Sequence, residues 1–405
     1  MNLKNSCFKT TASSFGKKMR IPTSKSFANR ALVLAAISTK EIILNEVPES
    51  TDVLNMITCL REIGLDIKTQ GTSVKVINSF PECEIENDKV IDLKTGDGGT
   101  TNRFLIPLLA LGSNSYNLIA SEMMVDRPMD ELDETLTDMG VRVQRDEQHW
   151  FKLQGPYQIN KHVIEVDCAR STQFATGLAL SLSKINVDIE PVNLRTSRPY
   201  WDMTVNLIEM FEENCVFDVP VDFSSLSYPL ALGILSEGVL VQNCKGVDRY
   251  QADSALIYIL EQVGAHFEFL QEGLKLSKFP DLPAINVDCR NCPDLVPTLC
   301  FLASYANGES FLENVNVLKH KECDRLEEML KMMDAFGVKA RYCENDDALI
   351  IQGRKPHSSN VDYDPPVDHR MVMVCYLFQR YNGGGTLTNA HCVDKSFPSF
   401  FEAMG

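Results

Sequence analysis

The cations Lys25, Arg30, Arg103, Arg127, Arg170, Lys321, Arg325, Arg370 and Lys395 sit at or beside short polar loops that run straight into apolar segments. Two carboxylates interrupt this basic set: Asp294, opening one apolar segment, and Glu322 in Lys321-Glu322-Cys323-Asp324-Arg325. The start of a helix offers unpaired N–H groups and the positive end of the dipole, so cations placed there strengthen a field suited to anions. A site that moves protons while holding polyanions needs a few carboxyl groups among many cations. The pattern points to small phosphorylated or carboxylated substrates handled by acid–base chemistry, with neither metal nor cofactor. Singly, each cation reads as a surface ion-pair partner and each acid as a helix cap. Recurrence at equivalent positions favours function.

Six such junctions position these groups. Thr23-Ser24-Lys25-Ser26 precedes Ala31 to Ala36, Gly96 to Thr100 precedes Phe104 to Leu109, and Arg170-Ser171-Thr172-Gln173 precedes Gly177 to Leu180. Asp222 to Ser225, Asn291 to Asp294, and Val367 to Arg370 introduce three further apolar segments. Between them lie amphipathic helical patterns, four of which end in Gly64, Gly140, Gly264 or Gly337 before a short alternating run. Glycine past a helix end supplies a left-handed cap, and alternation after it predicts a half-buried strand. The segment Met203 to Glu213 lacks the terminal glycine, and the last copy, Phe397 to Gly405, ends the sequence. The fold class is therefore α/β, built from six βα repeats.

A chain of 405 residues, 44% hydrophobic, can bury large cores, and its length favours two or three domains. A formal net charge of -16 argues against nucleic acid as a partner. Thirteen cysteines scattered without a framework suggest reduced thiols in a cytoplasm. The lone Cys289-x-x-Cys292 has neither a second pair nor histidines at ligand spacing, so it gives no support to zinc. The uncharged run from Phe104 to Ser121 is broken by Pro107 and by Gly112 to Ser115, which excludes a membrane span. The first twenty residues are basic, rich in Ser and Thr and free of acid, as in transit peptides. Because the first repeat begins at Ile21-Pro22, a first strand belonging to the body is expected instead.

The junctions also carry a specific resemblance. Pro22-Thr23-Ser24-Lys25-Ser26-Phe27-Ala28-Asn29-Arg30-Ala31-Leu32 resembles the signature P-G-S-K-S-x-x-N-R-A-L of 5-enolpyruvylshikimate-3-phosphate synthases. Gly96-Asp97-Gly98-Gly99-Thr100-Thr101-Asn102-Arg103 is similar to that family's G-N-A-G-T-x-x-R. Asp126-Arg127-Pro128-Met129, Ser171-Thr172-Gln173-Phe174, Ser197-Arg198-Pro199-Tyr200, Pro293-Asp294, the Lys321 to Arg325 segment, Asp368-His369-Arg370-Met371 and Lys395-Ser396-Phe397-Pro398 follow in family order.

The resemblance implies a two-domain inside-out α/β barrel with three repeats per domain, joined by two crossings and closing over the substrates. It joins residues 1–20 to 221–405 in one domain and leaves 21–220 as the other. The implied reaction transfers the enolpyruvyl group of phosphoenolpyruvate to the 5-hydroxyl of shikimate 3-phosphate and releases phosphate. By the same resemblance, Lys25, Ser26, Arg30, Ser171, Thr172, Gln173, Ser197, Tyr200, Asp294 and Lys321 would hold shikimate 3-phosphate. Lys25, Asp97, Gly99, Arg127, Gln173, Arg325, Arg370 and Lys395 would hold phosphoenolpyruvate, for whose carboxylate and phosphate guanidinium forks are suited. Lys25, Asp294 and Glu322 would be catalytic. The expected protein is a cytoplasmic monomer.

The sequence departs from the family at Thr23 for Gly, Asp97 for Asn, Gly98 for Ala and Phe104 for Pro. Thr23 would be strained if its φ were positive, and Asp97 would put negative charge beside an anionic substrate. Asn316 stands one position early for an Asn the family often places before the Lys-Glu pair, and is not counted with the site. The sister transferase acting on UDP-N-acetylglucosamine carries a cysteine before its Arg-Pro segment, whereas Ala120 to Asp126 holds none. A related transferase using another alcohol, and a degenerate ligand-binding paralogue, are the remaining alternatives.

Overall fold

All six apolar segments form helices, and each is buried on nearly every side because it has no polar face to present to water. They span Lys25–Ala36, Gly99–Leu109, Gln173–Leu182, Phe223–Leu235, Val296–Ser304 and His369–Tyr381. The computed structural model describes residues 7–13, 15–85, 90–125, 127–145, 150–185 and 187–405. Asp126, quoted above beside Arg127, lies outside the described residues, as do Ser14 and the first six residues of the basic N-terminal stretch. No described helix is long and apolar enough to cross a membrane.

The amphipathic helices follow at Thr51–Glu62, Asp130–Asp138, Arg198–Glu213, Ala255–Gln262, Arg325–Ala335 and Phe400–Met404. Gly64, Gly140, Gly264 and Gly337 all have positive φ, the left-handed conformation that stops a helix at little cost in glycine alone. Arg198–Glu213 ends differently, with Asn214 already extended toward the strand Val216–Asp218. The last copy is a single short turn of helix at the end of the chain.

Four four-stranded sheets share one plan: a strand, a parallel neighbour, then two antiparallel strands. In residue terms these are Val216–Asp218, Ile42–Asn45, Ser73–Val76 and Ile67–Gln70; and Ile91–Gly96, Ser115–Ala120, Phe151–Gln154 and Arg142–Gln144. The other pair comprises Lys17–Met19, Val239–Val241, Gly273–Leu276 and Phe267–Leu270; and Asn286–Asp288, Glu309–Glu313, Ala348–Gln352 and Lys339–Cys343. Two smaller sheets complete the described set. Val163–Asp167 pairs in parallel with Asp188–Val192, and Phe8–Thr11 pairs antiparallel with Gly384–Leu387. The basic N-terminal stretch thus supplies two strands to the body, where the sequence suggested one.

The chain divides into two compact units, Thr23–Pro220, and Met1–Pro22 with Val221–Gly405. Each contains three buried apolar helices, two four-stranded sheets and one two-stranded sheet among the described residues.

Candidate active site

In the unit Thr23–Pro220 the first junction is capped by Ser24, whose hydroxyl accepts from Phe27 N at 3.3 Å. That cap starts the helix at Lys25 and leaves its ammonium beside Asp52, with Nζ 2.8 Å from Oδ2. Gly98 is the N-cap of the second apolar helix. A Cβ built at Gly99 would come within 2.5 Å of Arg127 Nη1, so glycine leaves the room in which that guanidinium lies against the helix start. Asp97 is half-buried, one residue before the cap.

Arg103 organises the third junction. Its Nη1 donates to Gln173 Oε1 at 2.8 Å and Ser171 Oγ at 3.3 Å, Nη2 donates to the Pro128 carbonyl, and the guanidinium lies 4.9 Å from the Phe174 ring centroid. Gln173 in turn donates to Thr100 Oγ1 at 3.2 Å. Thr172, buried, stands at the N-cap position of the helix that Gln173 begins, without a capping bond from its side chain.

Arg30 is almost wholly buried. It donates to Thr204 Oγ1, the Ser26 carbonyl and the Tyr200 carbonyl, between the rings of Phe104 and Tyr200 at 5.3 and 5.8 Å. Burial lowers its pKa to about 10, with Tyr200 opposing the shift. Ser197 is left-handed at φ 60°, a conformation uncommon outside glycine and asparagine, and it turns the chain into Arg198–Glu213. Arg170 takes the bland reading: it is 39% exposed and pairs with Asp130 and Glu131.

The other unit holds the denser cluster. Arg325, 1% exposed, donates from Nε to Asp368 Oδ2 at 2.7 Å, from Nη1 to Asp294 Oδ1 at 2.9 Å and from Nη2 to Glu322 Oε2 at 2.7 Å. Asp294 also meets Lys321 Nζ at 3.3 Å and Arg370 Nη2 at 3.1 Å, while Lys395 Nζ lies 3.4 Å from Glu322 Oε1. Burial pushes the Asp294 pKa up, yet Arg370, Lys321 and Arg325 together outweigh it and hold the carboxyl well below its ordinary value. Asp294 lies in a 3-10 turn, Pro293–Leu295, just ahead of the apolar helix rather than on it.

Three supporting carboxylates escaped sequence reasoning. Asp52 and Asp253 lie in ordinary amphipathic surroundings, and Asp368, although quoted in a motif, received no role. Asp368 caps its helix by accepting from Arg370 N at 2.8 Å and orients Arg325 as well. Asp253 is bonded to Ser224 Oγ, which itself accepts from Arg370 Nη2 at 3.3 Å.

Burial pushes Asp253 up to about 6, with Arg370 opposing and Asp294 reinforcing. The folded protein therefore holds this proton above the unfolded value of 3.8. Stability from the group is complete below that value and is lost as pH rises through about 6. Asp253→Asn removes the loss, so its stability relative to wild type should rise by on the order of 1–3 kcal/mol between about pH 4.5 and pH 7. Urea unfolding across that range checks it. A difference independent of pH would remove Asp253 from the titrating groups.

A family profile described as EPSP synthase (3-phosphoshikimate 1-carboxyvinyltransferase) matches residues 10–404. The 3-phosphoshikimate 1-carboxyvinyltransferase of Pyrococcus abyssi is 31% identical over 401 residues, covering 95% of this chain and 93% of its own. The chain belongs to the EPSP synthase family. Its fold is similar to that of EPSP synthase from Acinetobacter baumannii, with a TM-score of 0.76 at 20% identity, covering 98% and 97% of the two chains. An enolpyruvyl transferase from Streptomyces tendae gives 0.77 at 13% identity, covering 99% and 97%. These structural likenesses concern the mixed α/β fold alone.

The departures from the EPSP synthase motifs acquire local explanations. Thr23 does not have positive φ, and its hydroxyl donates to the Glu46 carbonyl, so the feared strain is absent. Phe104, replacing Pro, supplies a ring face to Arg30. Asp97 stands one residue ahead of the N-cap, Gly98.

Proposed function

We propose that this protein transfers the enolpyruvyl group of phosphoenolpyruvate to the 5-hydroxyl of shikimate 3-phosphate, releasing phosphate, as a step toward chorismate and the aromatic amino acids. The observation that carries the reading is the pair Asp294 and Glu322, held by Arg325 among Lys321, Arg370 and Lys395. Family membership supplies the acceptor and donor. The same reading carries the architecture of two inside-out α/β domains of three repeats, which the buried apolar helices suit. It also makes the enzyme a cytoplasmic monomer, in keeping with thirteen free cysteines.

In this reading Ser26, Arg30, Ser171, Thr172, Ser197, Tyr200 and Lys321 bind shikimate 3-phosphate. Gly99, Arg127, Arg325, Arg370 and Lys395 bind phosphoenolpyruvate, with Lys25 and Gln173 serving both. Asp294 accepts the 5-hydroxyl proton as the oxygen adds to the substituted enol carbon. Glu322, with Lys25, protonates the methylene carbon and later removes a proton from it, and the C–O bond to phosphate breaks as the enol ether forms. Asp294 held so low is a weak base. An incoming phosphate and carboxylate that draw Arg325 and Arg370 toward themselves raise its basicity, so binding the donor strengthens the base.

Purified protein mixed with phosphoenolpyruvate and shikimate 3-phosphate should release phosphate without added metal, and should release none with UDP-N-acetylglucosamine. No release with shikimate 3-phosphate would sink the reading. Asp97→Asn should lower the KM for phosphoenolpyruvate several-fold, a like-charge penalty of on the order of 1 kcal/mol, and leave that for shikimate 3-phosphate nearly unchanged. Equal constants in variant and wild type would make Asp97 structural.

A further inference from the structure

The partner of Lys25 belongs to none of the junctions. Asp52 stands in the first turn of Thr51–Glu62 and is 1% exposed. Its Oδ2 accepts from Lys25 Nζ, whereas Oδ1 is buried with no hydrogen-bond partner among the described residues. That oxygen points at Gly98, where an ideal Cβ would stand 2.7 Å from Oδ1 and 2.9 Å from Cγ. The backbone is fastened on the same side, because Thr101 Oγ1 donates to the Asp52 carbonyl at 2.9 Å. The carboxylate is therefore set between the ammonium and the start of the helix Gly99–Leu109, whose positive end favours an anion.

We infer that Asp52 is a positioning residue for the transfer reaction, fixing the Lys25 ammonium at the head of two helices, and that glycine at 98 is the condition for its doing so. The geometry explains a departure that the sequence leaves unexplained. Alanine at 98 would occupy the space the carboxylate uses, and Asp52 would have to withdraw from Oδ1 inward. The atoms crowded by that methyl group, Asp52 Oδ1 and Cγ and Thr101 Oγ1 at 2.8 Å, all belong to side chains rather than to the backbone. Gly98→Ala is accordingly a gentle displacement of Asp52 that keeps every charge, and Asp52→Asn is a removal of its charge that keeps its shape.

The inference rests on the proposed reaction, so its test includes a readout independent of turnover. Competitive acetylation of the full-length protein, with peptide mass spectrometry, reports how accessible the Lys25 amine is relative to Lys321. In Asp52→Asn, and more weakly in Gly98→Ala, Lys25 labelling should rise several-fold against Lys321, because a fixed ammonium is released. In the same variants kcat should fall, by about tenfold or more in Asp52→Asn, with less change in KM and with melting temperatures close to wild type in Gly98→Ala. Unchanged relative labelling in Asp52→Asn would overturn the inference. Changed labelling with a wild-type protein that releases no phosphate would leave the contact standing and defeat the reaction instead. If Asp52→Asn fails to fold, Gly98→Ala decides: wild-type labelling and wild-type kcat in that variant reject the role of Gly98 and with it the inference.

Discussion

Glu322→Gln and Asp294→Asn should each lower turnover about 100-fold or more while both substrates still bind, the usual scale for losing a general acid or base. Each substitution keeps the shape of the side chain and its capacity to accept one hydrogen bond, so Arg325 retains a partner in either variant. What disappears is the capacity to take up and return a proton. Single-turnover kinetics together with equilibrium binding of each substrate separate the two effects. Near-wild-type turnover in either variant removes that residue from the mechanism. The two need not respond alike, since Asp294 faces three cations whereas Glu322 faces Arg325 and Lys395.

Arg325→Met should be the most destabilising single change in the site. The guanidinium serves Asp294, Glu322 and Asp368 at once, and Asp368 is fully buried. Removing one partner of a buried ionic group leaves uncompensated charge, at a cost of about 3–5 kcal/mol. For a chain of this size that lowers the melting temperature by about 4–6 °C. Lysine cannot rescue it, because a single ammonium does not reproduce a planar fork aimed at three carboxylates. The sign with pH is distinctive. Carboxylates deprived of their cation acquire raised folded pKa values, so the variant should recover stability relative to wild type as pH falls, which differential scanning calorimetry can follow. A melting temperature within a degree or two of wild type would show that water replaces the guanidinium at little cost.

Much of this was open to reading from residue order alone, for a physical reason. A helix apolar on every side cannot lie at a surface, and a glycine that ends an amphipathic pattern sets its own stop. The six junctions, the helices and the strands after Gly64, Gly140, Gly264 and Gly337 follow from those two facts. Supporting acids are harder to find. Asp52 looks like any acid in a first helical turn, and Asp253 looks like an ordinary polar residue before a helix, because what distinguishes them is a partner far away in sequence: Lys25 in one case, Ser224 and Arg370 in the other. Arg103 was visible as a cation, but its task of holding Ser171 and Gln173 depends on a separation of about seventy residues that pattern alone does not connect. Arg170 shows the converse, a junction cation by spacing whose partners are the exposed Asp130 and the half-buried Glu131.

The N-terminal strands have a consequence for how the protein is made. Lys17–Met19 pairs with Val239–Val241, and Phe8–Thr11 pairs with Gly384–Leu387, both far later in the sequence. The unit Thr23–Pro220 is one continuous stretch and can close as soon as it leaves the ribosome. Both N-terminal strands must wait for partners made much later. At ordinary rates of translation, about 5–20 residues per second, Phe8–Thr11 stays unpaired for about 20–75 s, until Gly384–Leu387 has been polymerised. The basic, acid-free composition of residues 1–20 puts like charges on both strands, and like charges along an exposed edge oppose pairing with a neighbouring nascent chain.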